Sequence, residues 1–283
     1  GVFVSCPMQS IIVALTSGVG IDAATIEFTV NGTNYTVASP ELLFADDTLT
    51  FTPSTPWADG TVVNWALVRA DDIMGESLAA TLSGSFTVDL AAPVLVSFAP
   101  PALDTVATAT PTIRAVIFDA TAGLDLSSLT LTIDGVPQSF VPRDSVAGER
   151  YVIIELTHTF AHNDTPRICV TAADSVDTTY CAANVLNFCW QFEIDVLPPQ
   201  VGSLVTPAGE TLDSMTSACG DMGFCFALAD TIVSHGIDSV SVRVDVDGTT
   251  YDLASAELSF DGARVCFVPT AAFASGEVVA VTL

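Results

Sequence analysis

The chain has 283 residues, half of them hydrophobic, which suffices for one large domain or two to three small ones, each with a core of its own. Its formal charge of −26 sets 33 acidic residues against seven arginines, and lysine is absent. Such a surface repels nucleic acid and anionic membranes, since phosphate binding needs a basic patch that releases counterions, and without lysine neither Lys–Asn isopeptide crosslinks nor lysine-mediated pilus polymerisation can occur on this segment.

Taken in chain order, the sequence alternates hydrophobic and polar residues in short runs separated by glycine and proline, and it is rich in threonine and valine, as strands and tight turns require. GIDAATIEFTVNG, from Gly20, recurs as GLDLSSLTLTIDG from Gly123 and as GIDSVSVRVDVDG from Gly236. Asp22, Asp125 and Asp238 fall in register, as do the turn pairs Asn31-Gly32, Asp134-Gly135 and Asp247-Gly248. Asn-Gly and Asp-Gly are strong hairpin signals because both central residues of that turn need positive φ. ASPELLF from Ala38 returns as ASAELSF from Ala254, followed by Pro53 with Pro269 and Gly60 with Gly276. SFTVDLAAPVLVSFAPPA from Ser85 returns as QFEIDVLPPQVGSLVTPA from Gln191, matching Asp89 with Asp195, Pro93 with Pro199 and Pro101 with Pro207; these are strand-to-linker junctions.

A period of roughly 105 residues with about seven alternating segments is the size and strand count of an immunoglobulin-like or fibronectin-like sandwich. The expected fold is all-β: tandem immunoglobulin-like β-sandwich domains in an extended rod, over residues 1–92, 93–198 and 199–283. In the second copy the expected strands lie near residues 95–98 (A), 111–119 (B), 128–134 (C), 150–157 (E), 166–173 (F) and 187–196 (G), with a hairpin turn after C. In this frame Gly1 matches a point after strand A, and Leu283 matches Leu67 inside strand F. The first copy then lacks its start and the third its last strand, so either the chain is a window on a longer protein or neighbouring subunits add the missing strands.

The proline-rich linker, SLTLTIDG, TFTPSTPWADG and the closing FTVD together resemble the bacterial Ig-like repeats of very large secreted and surface proteins, over essentially the whole chain. That resemblance implies work as a stalk, spacer, adhesin shaft or assembly module, secreted or at the cell surface. It names no ligand.

Seven cysteines without a CxxC pair point to disulfides and an oxidising compartment rather than to zinc. In FCFAL and RVCFV, Cys225 and Cys266 alternate with core residues on adjacent strands B and E, so they are expected to pair on the outer face. Cys169 and Cys189 take the same parity on strands F and G, opposite the inward Phe188, Trp190 and Phe192, and are expected to pair likewise. Cys6 and Cys219 occupy equivalent positions before strand B, 213 residues apart. Cys181, in the F–G loop of the second copy, faces the preceding domain, which suggests a Cys6–Cys181 bridge between domains. Cys219 then awaits the F–G loop of a fourth domain. The alternative is that some of these are buried free thiols.

No nucleophile elbow, phosphate loop or zinc-protease signature occurs, so no catalytic residue is assigned and an enzyme is not expected. His158 and His162 are four apart at the end of a β segment, where that spacing gives no shared face; His235 sits alone in a turn. Asp71 and Asp72 in the first F–G loop, Asp174 and Asp177 in the second, and Asp89 and Asp195 before the linkers could serve calcium, which favours several carboxylate and carbonyl oxygens. The competing reading is solvated turn residues, for which aspartate is favoured anyway. No other cofactor is expected. Sequons at Asn31, Asn34 and Asn163 would permit glycosylation. Partners are expected to be neighbouring repeats or identical chains, with a host or glycan ligand as the alternative, in an adhesin or in an accessory array of a polysaccharide-degrading enzyme; Trp57 and Trp65 are the candidates for sugar stacking, though both suit a core. No apolar run is long enough to cross a membrane, so insertion is not expected, and any signal peptide would lie outside this chain.

Overall fold

The computed structural model describes residues 1–144, 150–212, 219–230 and 236–283. Alternation dictates the architecture: every second side chain of each strand faces inward, and two sheets close over the resulting apolar faces. The first sandwich comprises β1 (Val2–Val4), β2 (Ile11–Ala14), β3 (Ile21–Val30), β4 (Thr33–Tyr35), β5 (Leu42–Ala45), β6 (Thr48–Phe51), β7 (Val62–Asp72) and β8 (Leu82–Val88). Its sheets run β1-β8-β7-β3-β4 and β2-β6-β5, with β1 parallel to β8. Ile26, Phe28, Leu49, Phe51, Val63 and Leu67 fill the space between them.

The second sandwich comprises β9 (Val94–Ala99), β10 (Thr105–Val106), β11 (Thr112–Phe118), β12 (Leu124–Ile133), β13 (Val136–Pro137), β14 (Arg143–Asp144), β15 (Tyr151–Thr157), β16 (Arg167–Asp174), β17 (Val185–Gln191) and β18 (Glu193–Ile194). Four-stranded sheets β14-β15-β11-β9 and β13-β12-β16-β17 face each other. The third comprises β19 (Gln200–Val205), β20 (Phe224–Ala229), β21 (Arg243–Val246), β22 (Thr249–Asp252), β23 (Leu258–Phe260), β24 (Arg264–Phe267) and β25 (Val281–Thr282), in sheets β19-β20-β24-β23 and β22-β21-β25. The chain is thus all-β, with tandem immunoglobulin-like sandwiches. It divides into two compact units, residues 1–106, 110–160 and 165–193 in one, and 107–109, 161–164 and 194–283 in the other. No helix among the described residues is long and apolar enough to cross a membrane.

Among the described strands, β2 carries only β6, whereas its counterparts β11 and β20 also carry β9 and β19 on the opposite edge. The second copy matches the expected strands to within a few residues except at two places. Strand β12 begins at Leu124 rather than near 128, because the chain stays extended through a register shift between Asp125 and Thr130. The last strand is interrupted at Phe192.

Both repeated motifs have structural explanations. Asn31, Asp134 and Asp247 have φ of 49°, 50° and 49°, and each is followed by a glycine near +80°, the turn geometry that the sequence pairs imply. The same residue also ties its hairpin to the neighbouring strand. Asn31 Oδ1 accepts from Asn64 N–H at 2.8 Å, Asp134 Oδ1 from Arg167 N–H at 2.8 Å, and Asp247 Oδ1 from Ala280 N–H at 2.7 Å. Asp22, Asp125 and Asp238 each accept from the N–H two residues on, and a hydroxyl three residues on returns a bond to the aspartate carbonyl. In the first two copies this Asx-type turn accompanies a bulge in the strand, and in the third Asp238 caps a short 3-10 helix over Ser239–Ser241; each is a structural use of aspartate.

Replacing Asp134 removes both its tolerance of positive φ and its bond to Arg167. Asp134→Ala is expected to lower stability by about 1–3 kcal/mol, read as a drop in the melting temperature of the first unit.

Candidate functional site

Three carboxylates meet where the chain passes from the first sandwich into the second. Asp89 follows β8, Asp119 follows β11 and Asp174 ends β16. All three are buried, and each offers an oxygen within 4.8 Å of the others. Local structure holds each one. Asp119 Oδ1 accepts from Thr121 N–H at 3.1 Å and Gly123 N–H at 2.8 Å, a turn after the strand. Asp174 Oδ1 accepts from Asn184 N–H at 3.0 Å and its Oδ2 from the Asn184 side-chain amide at 2.5 Å. Asp89 Oδ1 accepts from Ala91 N–H at 3.2 Å, and its Oδ2 reaches across to Ala122 N–H at 2.9 Å.

The electrostatics are unfavourable for three charges. Among the described residues no ion pair reaches any of the three. Burial pushes the Asp89 carboxyl above its ordinary range, opposed by the Ala122 and Ala91 N–H groups and reinforced by Asp119 and Asp59. Burial likewise raises Asp174, opposed by the two Asn184 bonds and reinforced by Asp89 and Asp119. Burial and mutual repulsion in such a group favour bound protons on Asp89 and Asp174 or a shared cation. The donors are all oxygen, as a hard divalent ion such as calcium requires.

The sequence expectation placed six aspartates as calcium candidates, and the structure brings only Asp89 and Asp174 together. Asp71, the repeat counterpart of Asp174, instead pairs with Arg69 and accepts from the Ser77 hydroxyl at 2.8 Å, which together hold its carboxyl below the ordinary range. Asp72 caps a turn through the N–H groups of Met74 and Glu76, both at 2.9 Å. Asp177 Oδ1 takes the N–H and hydroxyl of Thr179, the hydroxyl first in holding its carboxyl below the ordinary range. Asp195 lies 3.5 Å from His162 Nδ1. Asp119 was missed. Its only sequence signal is an aspartate directly after strand B, which Asp230 repeats after β20.

Around this cluster the two sandwiches are tied within one compact unit. Cys6 and Cys181 form a disulfide with Cα atoms 5.5 Å apart. Asp177 N–H donates to Phe3 O at 2.7 Å, so Val4 and Asp177 make a parallel bridge. The Ser5 hydroxyl donates to Ala182 O at 2.7 Å, and the Asn184 amide donates to Asp89 O at 2.9 Å. Cys169 with Cys189 and Cys225 with Cys266 are directly opposed cross-strand disulfides, each with Cα atoms 4.1 Å apart. Cys225 is 1% exposed although it lies on the face away from the Phe224 and Phe226 side chains; parity sets the face, and neighbours on that face decide exposure. Cys219 is free and exposed.

The aromatic candidates for sugar stacking are committed to packing. Trp57 lies against the first core and donates its indole N–H to Gln9 O at 3.1 Å, while Trp65 stacks on Phe28 with centroids 6.0 Å apart. His158 packs on Phe160 at 4.7 Å; His235 lies outside the described residues.

No protein-family model matches the sequence, and no curated protein matches it. Among solved structures the chain is similar to an I-band fragment of titin, over 94% of this chain and 84% of that one, at 10% identity and a TM-score of 0.45. It is also similar to dimeric latent PorU from Porphyromonas gingivalis, over 92% of this chain and 26% of that one, at 12% identity and a TM-score of 0.32. A third is a zebrafish structure of RET cadherin-like domains, with 86% and 57% covered, 11% identity and a TM-score of 0.22.

The raised carboxyls link stability to pH. Their native values lie above the unfolded value of about 3.9, so the folded state keeps protons that the unfolded chain releases. The stabilisation is complete below that value and is lost as pH rises through the native values. Asp119→Asn keeps both acceptor bonds of Oδ1 and removes one of the three charges. In chelator at pH 7 it is expected to raise the melting temperature of the first unit by a few degrees and to flatten its decline as pH rises above about 4, measured by calorimetry.

Proposed function

We propose that the chain is a non-enzymatic structural module of a large extracellular repeat protein of the bacterial Ig-like kind, working in a stalk, surface layer or filament whose partners are neighbouring repeats or identical chains. The junction of the first two sandwiches carries this reading. A disulfide, a parallel strand bridge and two side-chain hydrogen bonds converge on one short passage of chain, and each opposes bending there. Three disulfides suit an oxidising compartment outside the cytoplasm. The adhesin or carbohydrate-binding alternative loses support where Trp57 and Trp65 are half-buried in packing.

A calcium ion held by Asp89, Asp119 and Asp174 would complete this junction, replacing mutual repulsion by a shared counter-charge that draws on both sandwiches. Adding millimolar calcium to chelated protein at pH 7 is expected to raise the melting temperature of the first unit, and Asp119→Asn is expected to abolish most of that gain. An equal, negligible shift in both proteins would remove calcium from the reading.

The bridge is tested separately. Serine at both Cys6 and Cys181 is expected to cost about 2–4 kcal/mol in the first unit and to broaden the angle between its two sandwiches in electron micrographs of the native array. An unchanged angular distribution would mean that the bridge does not stiffen the array.

A further inference from the structure

Cys219 sits in the turn that Cys6 occupies in the first sandwich. Cys6 O accepts from Gln9 N–H at 3.2 Å, and Cys219 O accepts from Met222 N–H at 3.0 Å. The next carbonyl is anchored in both: Pro7 O accepts from Trp57 N–H at 2.7 Å, and Gly220 O from Phe273 N–H at 2.8 Å. Trp57 and Phe273 are repeat counterparts, in TPSTPWADG and VPTAAFASG. Strands β2 and β20 begin at Ile11 and Phe224, at the same spacing from each cysteine. Glycine is required at position 220, where a Cβ would lie 2.6 Å from Phe273 O, so this turn is closely packed against its neighbour.

The second observation is the state of the counterpart. Cys6 is buried and bonded to Cys181, in the loop between the last two strands of the following sandwich, whereas Cys219 presents its thiol to solvent. The second sandwich has no cysteine in the segment before β11, so the repeat supplies this cysteine to the first and third copies and not to the second.

We propose that Cys219 is an interdomain disulfide site, and that its partner is a cysteine in the loop between the last two strands of the sandwich that follows the third in the array. This rests on the reading of the chain as a structural array. Two thiols join, releasing two protons and two electrons, and an oxidised dithiol protein of the extracytoplasmic space takes up the electrons as its own disulfide opens to two thiols. The exchange runs through a mixed disulfide in which the second thiolate displaces the carrier. The resulting array would have bridged junctions between copies one and two and between copies three and four.

The test uses the protein isolated from its source without reductant, with free thiols blocked by N-ethylmaleimide and the chain cleaved before aspartate. Cleavage frees residues 213–220, with Cys219 as the sole cysteine. The expected product is this peptide linked to a cysteine peptide from the last loop of a further sandwich, with loss of the link on reduction. Recovery of 213–220 carrying N-ethylmaleimide overturns the proposal, as does its linkage to a second copy of itself or to the Cys181 peptide. If Cys219 is blocked while Cys6–Cys181 remains linked, only this inference falls; if Cys6 and Cys181 are also blocked, the bridged junction of the structural reading falls with it.

Discussion

Asp89 is bonded on every side at the point where the chain leaves one sandwich for the next. Its N–H donates to Val4 O at 2.8 Å in the first sandwich, while its carbonyl takes the Asn184 amide of the second. One carboxylate oxygen holds the linker through Ala91, and the other holds the loop after β11 through Ala122. Residues of both sandwiches must be in place for these bonds to form, and a fully buried carboxylate that lost them would bear the cost of an unsatisfied charge. The relation of the first two sandwiches therefore depends on this residue being satisfied.

The disulfide and the carboxylate cluster constrain the same junction by different means. The Cys6–Cys181 bridge limits the unfolded chain and holds two loops at a fixed separation whatever the pH. The cluster gains or loses with protonation, because burial opposes charge on Asp89 and Asp174 while their N–H donors favour it. A covalent tie keeps the carboxylates together when their repulsion is greatest. In the first sandwich the same location on β7 is neutralised locally, Asp71 being paired with Arg69, so the repeat places an aspartate there in both copies and the neighbours decide its use.

The recurrent aspartates separate into two kinds. Asp22, Asp125 and Asp238, and the turn residues Asn31, Asp134 and Asp247, satisfy backbone N–H groups that bulges, tight turns and, at Asp238, the start of a 3-10 helix leave unpaired. They recur because every sandwich needs the same turn. Asp119 and Asp174 come from separate strands' ends in the second sandwich, and Asp89 of the first joins them only at the junction.

What the sequence by itself determined was everything governed by local alternation and turn chemistry. The period, the positive-φ turns and the faces of the four strand cysteines, Cys169, Cys189, Cys225 and Cys266, follow from alternation and turn chemistry, and directly opposed cysteines on adjacent strands follow from that parity once strand order is assumed. Even Cys6 and Cys181 were legible, because the repeat assigns each to one end of its sandwich. Tertiary structure decided which acids meet. Asp119 was invisible as a cluster member because it lies in the loop after strand B, which approaches Asp89 only when the second sandwich packs on the first. Arg69 and Thr179 diverted Asp71 and Asp177 through contacts that a charge count cannot rank. The burial of Cys225 has the same origin: sequence fixes the direction of a side chain on a strand, while exposure depends on what the rest of the chain lays over it.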